Sequence, residues 1–103
     1  MMTSVQWTKW LAFHDASIRQ FDEKLIGVYE IANAVETVYI GKGFLRNRLM
    51  AHLLSGDEPT PDGDRFHVMI LPDEDLAISI EEKLLKSYRI DHGRLPKYNE
   101  RIG

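Results

Sequence analysis

The residues of this chain whose types and spacing could do chemistry are two tyrosines ten residues apart, an arginine and a histidine four apart, and a glutamate on an apolar helix face. The first four lie in one stretch, GVYEIANAVETVYIGKGFLRNRLMAH, from Gly27 to His52. A hairpin whose turn centres on Ala34 places Tyr29 and Tyr39 directly opposite each other on one face of a sheet. Side by side, the two phenols are either an ordinary cross-strand aromatic pair or part of a reactive site. The IGKG that follows reads as a strand end opening into a helix. Glycine there lets backbone N–H groups approach an anion, so Gly41, Lys42 and Gly43 are candidates for a phosphate contact. The spacing is not that of a Walker A loop. Arg48 and His52 share one flank of the Leu45/Leu49/Leu53 stripe and can both reach over a sheet edge, whereas Arg46 and Asn47 point elsewhere. An arginine fork suits a phosphate, and the plain alternative is an exposed arginine with a surface histidine. Glu81 falls inside the stripe Ala77, Ile80, Leu84, Leu85 and Tyr88. A carboxylate there is costly unless it is paired, with Arg48 for example, or holds a metal. Glu82 lies outside the stripe, four before Lys86, and reads as a solvent ion pair.

Those residues need elements to hold them. Val5 to Leu25 carries Trp7, Trp10, Leu11, Ile18, Phe21 and Leu25 at helical spacing and predicts an N-terminal helix, with the two tryptophans as core cover, a DNA or dimer contact being the alternative. IGVYEIA and TVYIG around NAVE predict a hairpin. FLRNRLMAHLL reads as a helix, SGDEPTPDGD as a loop, and RFHVMIL as a third strand with Phe66, Val68 and Ile70 on one face. PDEDLAISIEEKLLKSYRIDHG predicts a second core helix, opened by Asp73 to Asp75 and closed near Gly93. The expected fold is α+β, a small three-stranded, mostly antiparallel sheet flanked by helices. The expected organisation is one domain over 1–103, with a helical extension at 1–25 and the chemistry at 26–99.

Composition narrows the function. The 103 residues, 44% apolar and 28% charged, suit one soluble domain with one core. The longest apolar run, VMIL, is far short of a membrane span, and no apolar signal-like segment opens the chain. The absence of cysteine excludes disulfides and thiolate zinc sites and makes a cytoplasmic location the default expectation. A net charge of −3 argues mildly against nucleic acid, but the charges are segregated. Ser55 to Glu82 carries nine acids against Arg65 alone, while Lys83 to Arg101 carries six bases against two acids. Histidines at 14, 52, 67 and 92 have no metal-site spacing, and no serine-hydrolase elbow occurs. Asp62 with Glu81 and Lys83 imitates another nuclease pattern, but its Glu-x-Lys belongs on a strand and here the period is helical.

GVY, then YIG, LRNRLMAH, AISIEEKLLKSY and finally PKYN, in this order, closely resemble a GIY-YIG nuclease domain of the kind found in the excinuclease of excision repair. The resemblance covers Ile26 to about Asn99. It implies that Tyr29 and Tyr39 are the motif tyrosines, Gly41 the motif glycine, and Lys42 the lysine of the excinuclease branch. It further implies Arg48 as the phosphate-binding arginine, His52 as the histidine of some members, Glu81 as the metal ligand and Asn99 as the late asparagine. The implied activity is hydrolysis of DNA phosphodiesters with one divalent ion, Mg²⁺ or Mn²⁺, Glu81 being the one carboxylate aimed at the cleft. One of the tyrosines would be the general base; the residues do not choose between them. The other readings are an interaction module on the same fold that has lost turnover, and an RNA substrate.

Overall fold

The computed structural model describes residues 5–100, so the ends of the expected domain lie outside the described residues. In chain order it has β1 (Leu11–Ala12), α1 (Asp15–Arg19), β2 (Ile26–Ala32), β3 (Thr37–Phe44), α2 (Leu45–Ala51), β4 (Arg65–Leu71) and α3 (Glu74–His92). The sheet has four strands in the order β1-β4-β2-β3, all antiparallel. The strand beyond the expected three is the two-residue β1, and β3 is left as an edge.

The alternation of side chains across the sheet makes two cores. On one face Tyr29, Ile31, Phe66 and Val68 pack against Ile18 of α1 and Leu45 and Leu49 of α2. On the other, Val28, Met69 and Leu71 meet Leu76, Ala77, Ile80 and Leu84 of α3. Each aliphatic side chain so buried contributes about 1.5–3 kcal/mol, which is why both helices are held to the sheet. Ile70, expected to continue the Phe66/Val68 face, lies near the end of β4 and is 42% exposed. The long helix starts where its sequence says: Asp73 accepts from Leu76 N–H at 2.9 Å, Glu74 and Asp75 occupy the first turn, and Gly93 caps the end.

The expected N-terminal helix over Val5 to Leu25 is not formed as one element. Residues 5–10 lie along β4, with Thr8 N–H donating to the Val68 carbonyl at 2.8 Å and Val68 N–H to Thr8 Oγ1 at 3.1 Å. Only Asp15–Arg19 is α-helical. The apolar spacing had a different cause. Trp7 and Trp10 stack on the two faces of His67, with centroids 3.9 and 3.8 Å away, while Ile18 and Phe21 serve the α1/α2 core. The same imidazole bonds Glu30 at 2.7 Å.

Candidate active site

The hairpin register differs from the expected one by two residues: Tyr39 pairs with Ile31, and Tyr29 with Gly41. The cause is local. Asn33 Oδ1 accepts from the N–H groups of Val35 and Glu36 at 2.8 and 3.0 Å, and an irregularity between Ile31 and Ala32 moves the turn along the chain. The two tyrosines still share a face, now diagonally, with ring centroids 6.1 Å apart. Gly41 makes that possible. A Cβ there would lie 2.4 Å from Cζ and Oη of Tyr29 and 2.8 Å from Cε2 of Tyr39.

The expectation of a glycine-lined helix start is corrected as well. Gly41, Lys42 and Gly43 are interior to β3, paired with Tyr29, Val28 and Gly27, so this segment is strand rather than an anion cradle. Gly43 takes φ 126°, open only to glycine without strain, and the Arg48 stem would be 3.2 Å from a Cβ there. Helix α2 is seven residues long, begins after Phe44 with no side-chain cap, and ends at His52.

Helical spacing does bring Arg48 and His52 to the tyrosines. The His52 imidazole is buried, 4.4 Å from the Tyr39 ring by centroid. Its Nδ1 is 2.7 Å from the Glu58 carbonyl and its Nε2 is 2.8 Å from the Tyr29 hydroxyl. A carbonyl can only accept, so Nδ1–H donates to Glu58 and a neutral imidazole offers Nε2 to the Tyr29 O–H. Burial lowers the basicity of His52, and the Arg48 charge acts the same way against the Glu58 carbonyl, which supports the neutral form. Tyr29, 0% exposed, thus donates its proton to His52. Burial holds the Tyr29 pKa far above the ordinary phenol value, with Tyr39 adding to the effect and Arg48 opposing it.

Tyr39 is half-buried and faces an open cleft of about 460 Å³, lined also by His52, Glu58, Glu81, Tyr98 and Asn99. Burial raises its pKa too, and the Arg48 guanidinium is the group that lowers it. Arg48 donates from Nη2 to Glu58 Oε2 at 2.5 Å. Although partial burial works against its charge, that bond and the neighbouring Tyr29 hold Arg48 firmly protonated. The same bond keeps the exposed Glu58 carboxyl below the usual range. Arg48 therefore pairs with Glu58 rather than Glu81.

The cleft wraps round the β3 edge, and α3 supplies its other wall. Glu81 is 7% exposed and, among the described residues, accepts no hydrogen bond and forms no ion pair. Burial raises its pKa, and Lys42, on the α3 face of β3, pulls the other way. Glu82 pairs with Lys86 as expected. At the edge itself, Asn99 acts as a substitute strand: its Oδ1 accepts from Ile40 N–H and its Nδ2 donates to Ile40 C=O, both at 2.9 Å. Tyr98 N–H adds a bond to Val38 C=O. Tyr29, Tyr39, Arg48 and His52 thus form one cluster, with Glu81 and Asn99 across the edge and Lys42 beside Glu81. Glu58 and the buried Thr60, whose N–H and hydroxyl both bond the His52 carbonyl, are the residues that sequence reasoning missed.

A partly buried carboxylate without a protein partner fits a cation that keeps most of its waters. The described residues contain no group of three or more His, Cys, Asp or Glu that could form a full protein cage. Such a set suits Mg²⁺ better than Zn²⁺ or Ca²⁺.

No family model matches the sequence, and no curated protein does. Solved structures do. The GIY-YIG N-terminal endonuclease domain of UvrC from Thermotoga maritima, bound to its catalytic magnesium, superposes with a TM-score of 0.62 at 29% identity. The match covers 84% of this chain and 99% of that one. A tyrosine-to-phenylalanine variant of that domain, bound to its catalytic divalent cation, gives 0.61 and 29% over 85% and 100%. An asparagine-to-alanine variant gives 0.62 and 28% over the same shares. The tyrosine pair, the Arg48–His52 turn and the partnerless Glu81 sit on a sheet and helices common to nearly the whole of that domain, and the chain has the GIY-YIG nuclease fold.

Proposed function

We propose that this domain is a divalent-cation-dependent endonuclease that hydrolyses DNA phosphodiester bonds in the cleft at the β3 edge, with one ion, Mg²⁺ or Mn²⁺, held by Glu81. The observation that carries this reading is the Glu81 carboxylate. It is buried at a cost, unpaired among the described residues, and placed across one cleft from Tyr39 and from the pair of Arg48. The bound ion would supply Lewis-acid stabilisation of the departing 3′ oxygen.

The remaining work falls to the chain. Arg48 offers a charged fork to the phosphate and neutralises charge that grows on the phosphoryl oxygens. Loss of one such donor in another enzyme costs about 2.7–4 kcal/mol. Of the two phenols, Tyr39 is assigned as the base for water, because it faces the cleft whereas the Tyr29 proton is committed to His52. In the reacting form Tyr39 is the phenolate and takes the proton of the attacking water as the new P–O bond forms. Its raised pKa means that this form is scarce until positive charge is near, and Arg48 is the chain's own contribution to it. Lys42 favours the ionisation of Glu81 against the effect of burial, keeping the carboxylate available. Tyr29 and His52 position Tyr39, and Asn99 fixes the edge strand that carries it.

A nicking assay on supercoiled plasmid tests the reading. The purified domain should nick with Mg²⁺ and stop with EDTA, Glu81→Ala or Arg48→Ala. Wild-type protein that shifts DNA in a gel but leaves linear, flapped and branched substrates uncut with every divalent ion would sink it.

A further inference from the structure

The segment between α2 and β4 has no reacting role in that mechanism, yet it is pinned to the end of α2 on one side and to the β2–β3 hairpin and the tail on the other. Glu58 N–H donates to the Ala51 carbonyl at 2.9 Å and Thr60 N–H to the His52 carbonyl at 3.0 Å. Farther on, Asn33 Nδ2 donates to the Asp62 carbonyl at 3.1 Å, Lys97 pairs with the Asp62 carboxylate, and Asp64 N–H donates to Ala32 at 2.9 Å. The backbone of Glu58 is thereby fixed, and its carbonyl holds His52. Its side chain is not fixed in the same way: 57% exposed, it reaches across to Arg48 and makes one 2.5 Å bond. A carboxylate and a phosphodiester present the same kind of oxygen pair to a guanidinium, and they compete for the same N–H groups.

We propose that Glu58 is a specificity-determining gate, whose carboxylate occupies on Arg48 the place of the scissile phosphate, so that productive binding is an exchange of one acceptor for the other. The proposal rests on the nuclease reading above. Because the Glu58 side chain is already largely in water, it can leave Arg48 with little further change in solvation. The carbonyl of the same residue stays on His52, so the exchange leaves the Tyr29–His52 hydrogen bond in place. The displaced carboxylate then stands beside the bound phosphate and repels it. A polynucleotide makes up for this with contacts to neighbouring phosphates, whereas a single phosphate cannot. The gate therefore selects nucleic-acid chains over free phosphate and mononucleotides.

Glu58→Gln keeps the side-chain shape and the backbone carbonyl while removing the charge, and Asp57→Asn removes the same charge from the exposed neighbouring residue. Both are made in a Glu81→Gln background, and binding of a fluorescent DNA duplex is read by anisotropy without divalent ions. Glu58→Gln should tighten Kd by about two- to fivefold, the size of an exposed ion pair's competition. Asp57→Asn should change it by less than about twofold. With Glu81 restored, nicking by Glu58→Gln should show KM lowered by the same factor with kcat little changed, and inorganic phosphate should become a better inhibitor. Equal tightening by both variants, an unchanged Kd, or a loss of kcat at constant KM would each overturn the gate. Wild-type nicking with no gain in Glu58→Gln rejects the gate alone. A binding gain in proteins that never nick supports the gate and rejects the nuclease reading. Absence of DNA binding by all of them overturns both.

Discussion

Gly41→Ala is the smallest substitution that tests the construction of the site. Gly41 lies in β3 without positive φ, so alanine is acceptable to the backbone there and the whole effect is steric. The added Cβ meets Cζ and Oη of Tyr29 at 2.4 Å, where ordinary contact begins near 3.4 Å, so the ring must retreat by about 1 Å. Tyr29 is 0% exposed and has no room to do so without disturbing Leu45, Leu49 and Phe66. Overpacking of this kind costs about 1–3 kcal/mol, and displacement of the hydroxyl from its 2.8 Å bond to His52 adds about 0.5–1.5 kcal/mol. Alanine restricts the unfolded chain more than glycine does and returns about 0.4–1 kcal/mol. The net loss is then about 0.5–4 kcal/mol, read as a fall of about 0.3–2 M in the urea midpoint at an unchanged m of about 2 kcal/mol/M. Because the same Cβ also meets Tyr39, nicking should fall by at least about tenfold even where the variant is fully folded, since misplacement by 1 Å costs as much as ~100-fold. Unchanged stability together with unchanged nicking would show that the ring does not lie over Gly41, and the account of the tyrosine pair would fall with it.

Glu81→Gln should abolish nicking yet stabilise the fold at neutral pH by about 0.5–2 kcal/mol, the usual gain when a strained functional group is relieved. The sign follows from burial, which raises its carboxyl pKa: stability is fully present below the ordinary carboxylate range and is lost as pH rises through the folded value, so the variant's gain should vanish in acid when unfolding is followed against pH. His52 has the opposite sense. Its pKa is lowered by burial, so the stability of its neutral form is present above the ordinary histidine range and is lost as pH falls through the folded value. Long-range ¹H–¹⁵N spectra should show a neutral Nδ1–H tautomer, with nicking lost as that signal disappears in acid, and an Nε2–H tautomer would contradict the assignment of the Tyr29 proton. Asn99→Ala strips two partners from Ile40 on the edge strand, at a cost of about 1–3 kcal/mol, and amide exchange at Ile40 should accelerate while that at Val68 in the sheet interior does not.

What was legible in the sequence is what depends on local period. Arg48 was separable from Arg46, and Glu81 from Glu82, because helical spacing fixes which side chains share a face, and both helices obey it. The motif order, read as a resemblance, agrees with the match to the UvrC domain. The misreadings arose where a side chain's partner is remote or a single residue decides register. Trp7 and Trp10 mimic a helix period because each needs one face of His67, some sixty residues away in the chain, which no local window contains. The hairpin slipped by two because Asn33 makes its own turn with Val35 and Glu36, which a symmetrical turn centred on Ala34 does not allow for. Lys42 and the flanking glycines read as a helix entry because glycine signals a break. They are strand because Gly41 must pass beneath Tyr29. Glu58 carried no signal at all. It is one acid in an acidic loop, and only the closed fold sets it against Arg48.

The edge position of β3 explains why so many of these residues are needed. An interior strand would be held by neighbours on both sides, but then Glu81 on one face and Tyr39 on the other could not share a cleft. The edge lets the cleft wrap around, and it leaves Val38 and Ile40 without strand partners on the open side. Tyr98 and Asn99 supply those bonds from a tail with no secondary structure, leaving the edge strand ordered and the cleft open. Tyr29 is then the inner fixture. Its ring fills the space over Gly41 and its hydroxyl is spent on His52, so Tyr39 is the phenol left to face the cleft. It follows that Tyr29→Phe should lower nicking through misplacement of His52 and Tyr39, by roughly tenfold for the loss of one buried hydrogen bond. Tyr39→Phe should abolish it, because no other hydroxyl in the cluster is free to take the proton. If the two variants lost activity equally and with the same pH profile, the division between a fixing and a reacting tyrosine would be wrong.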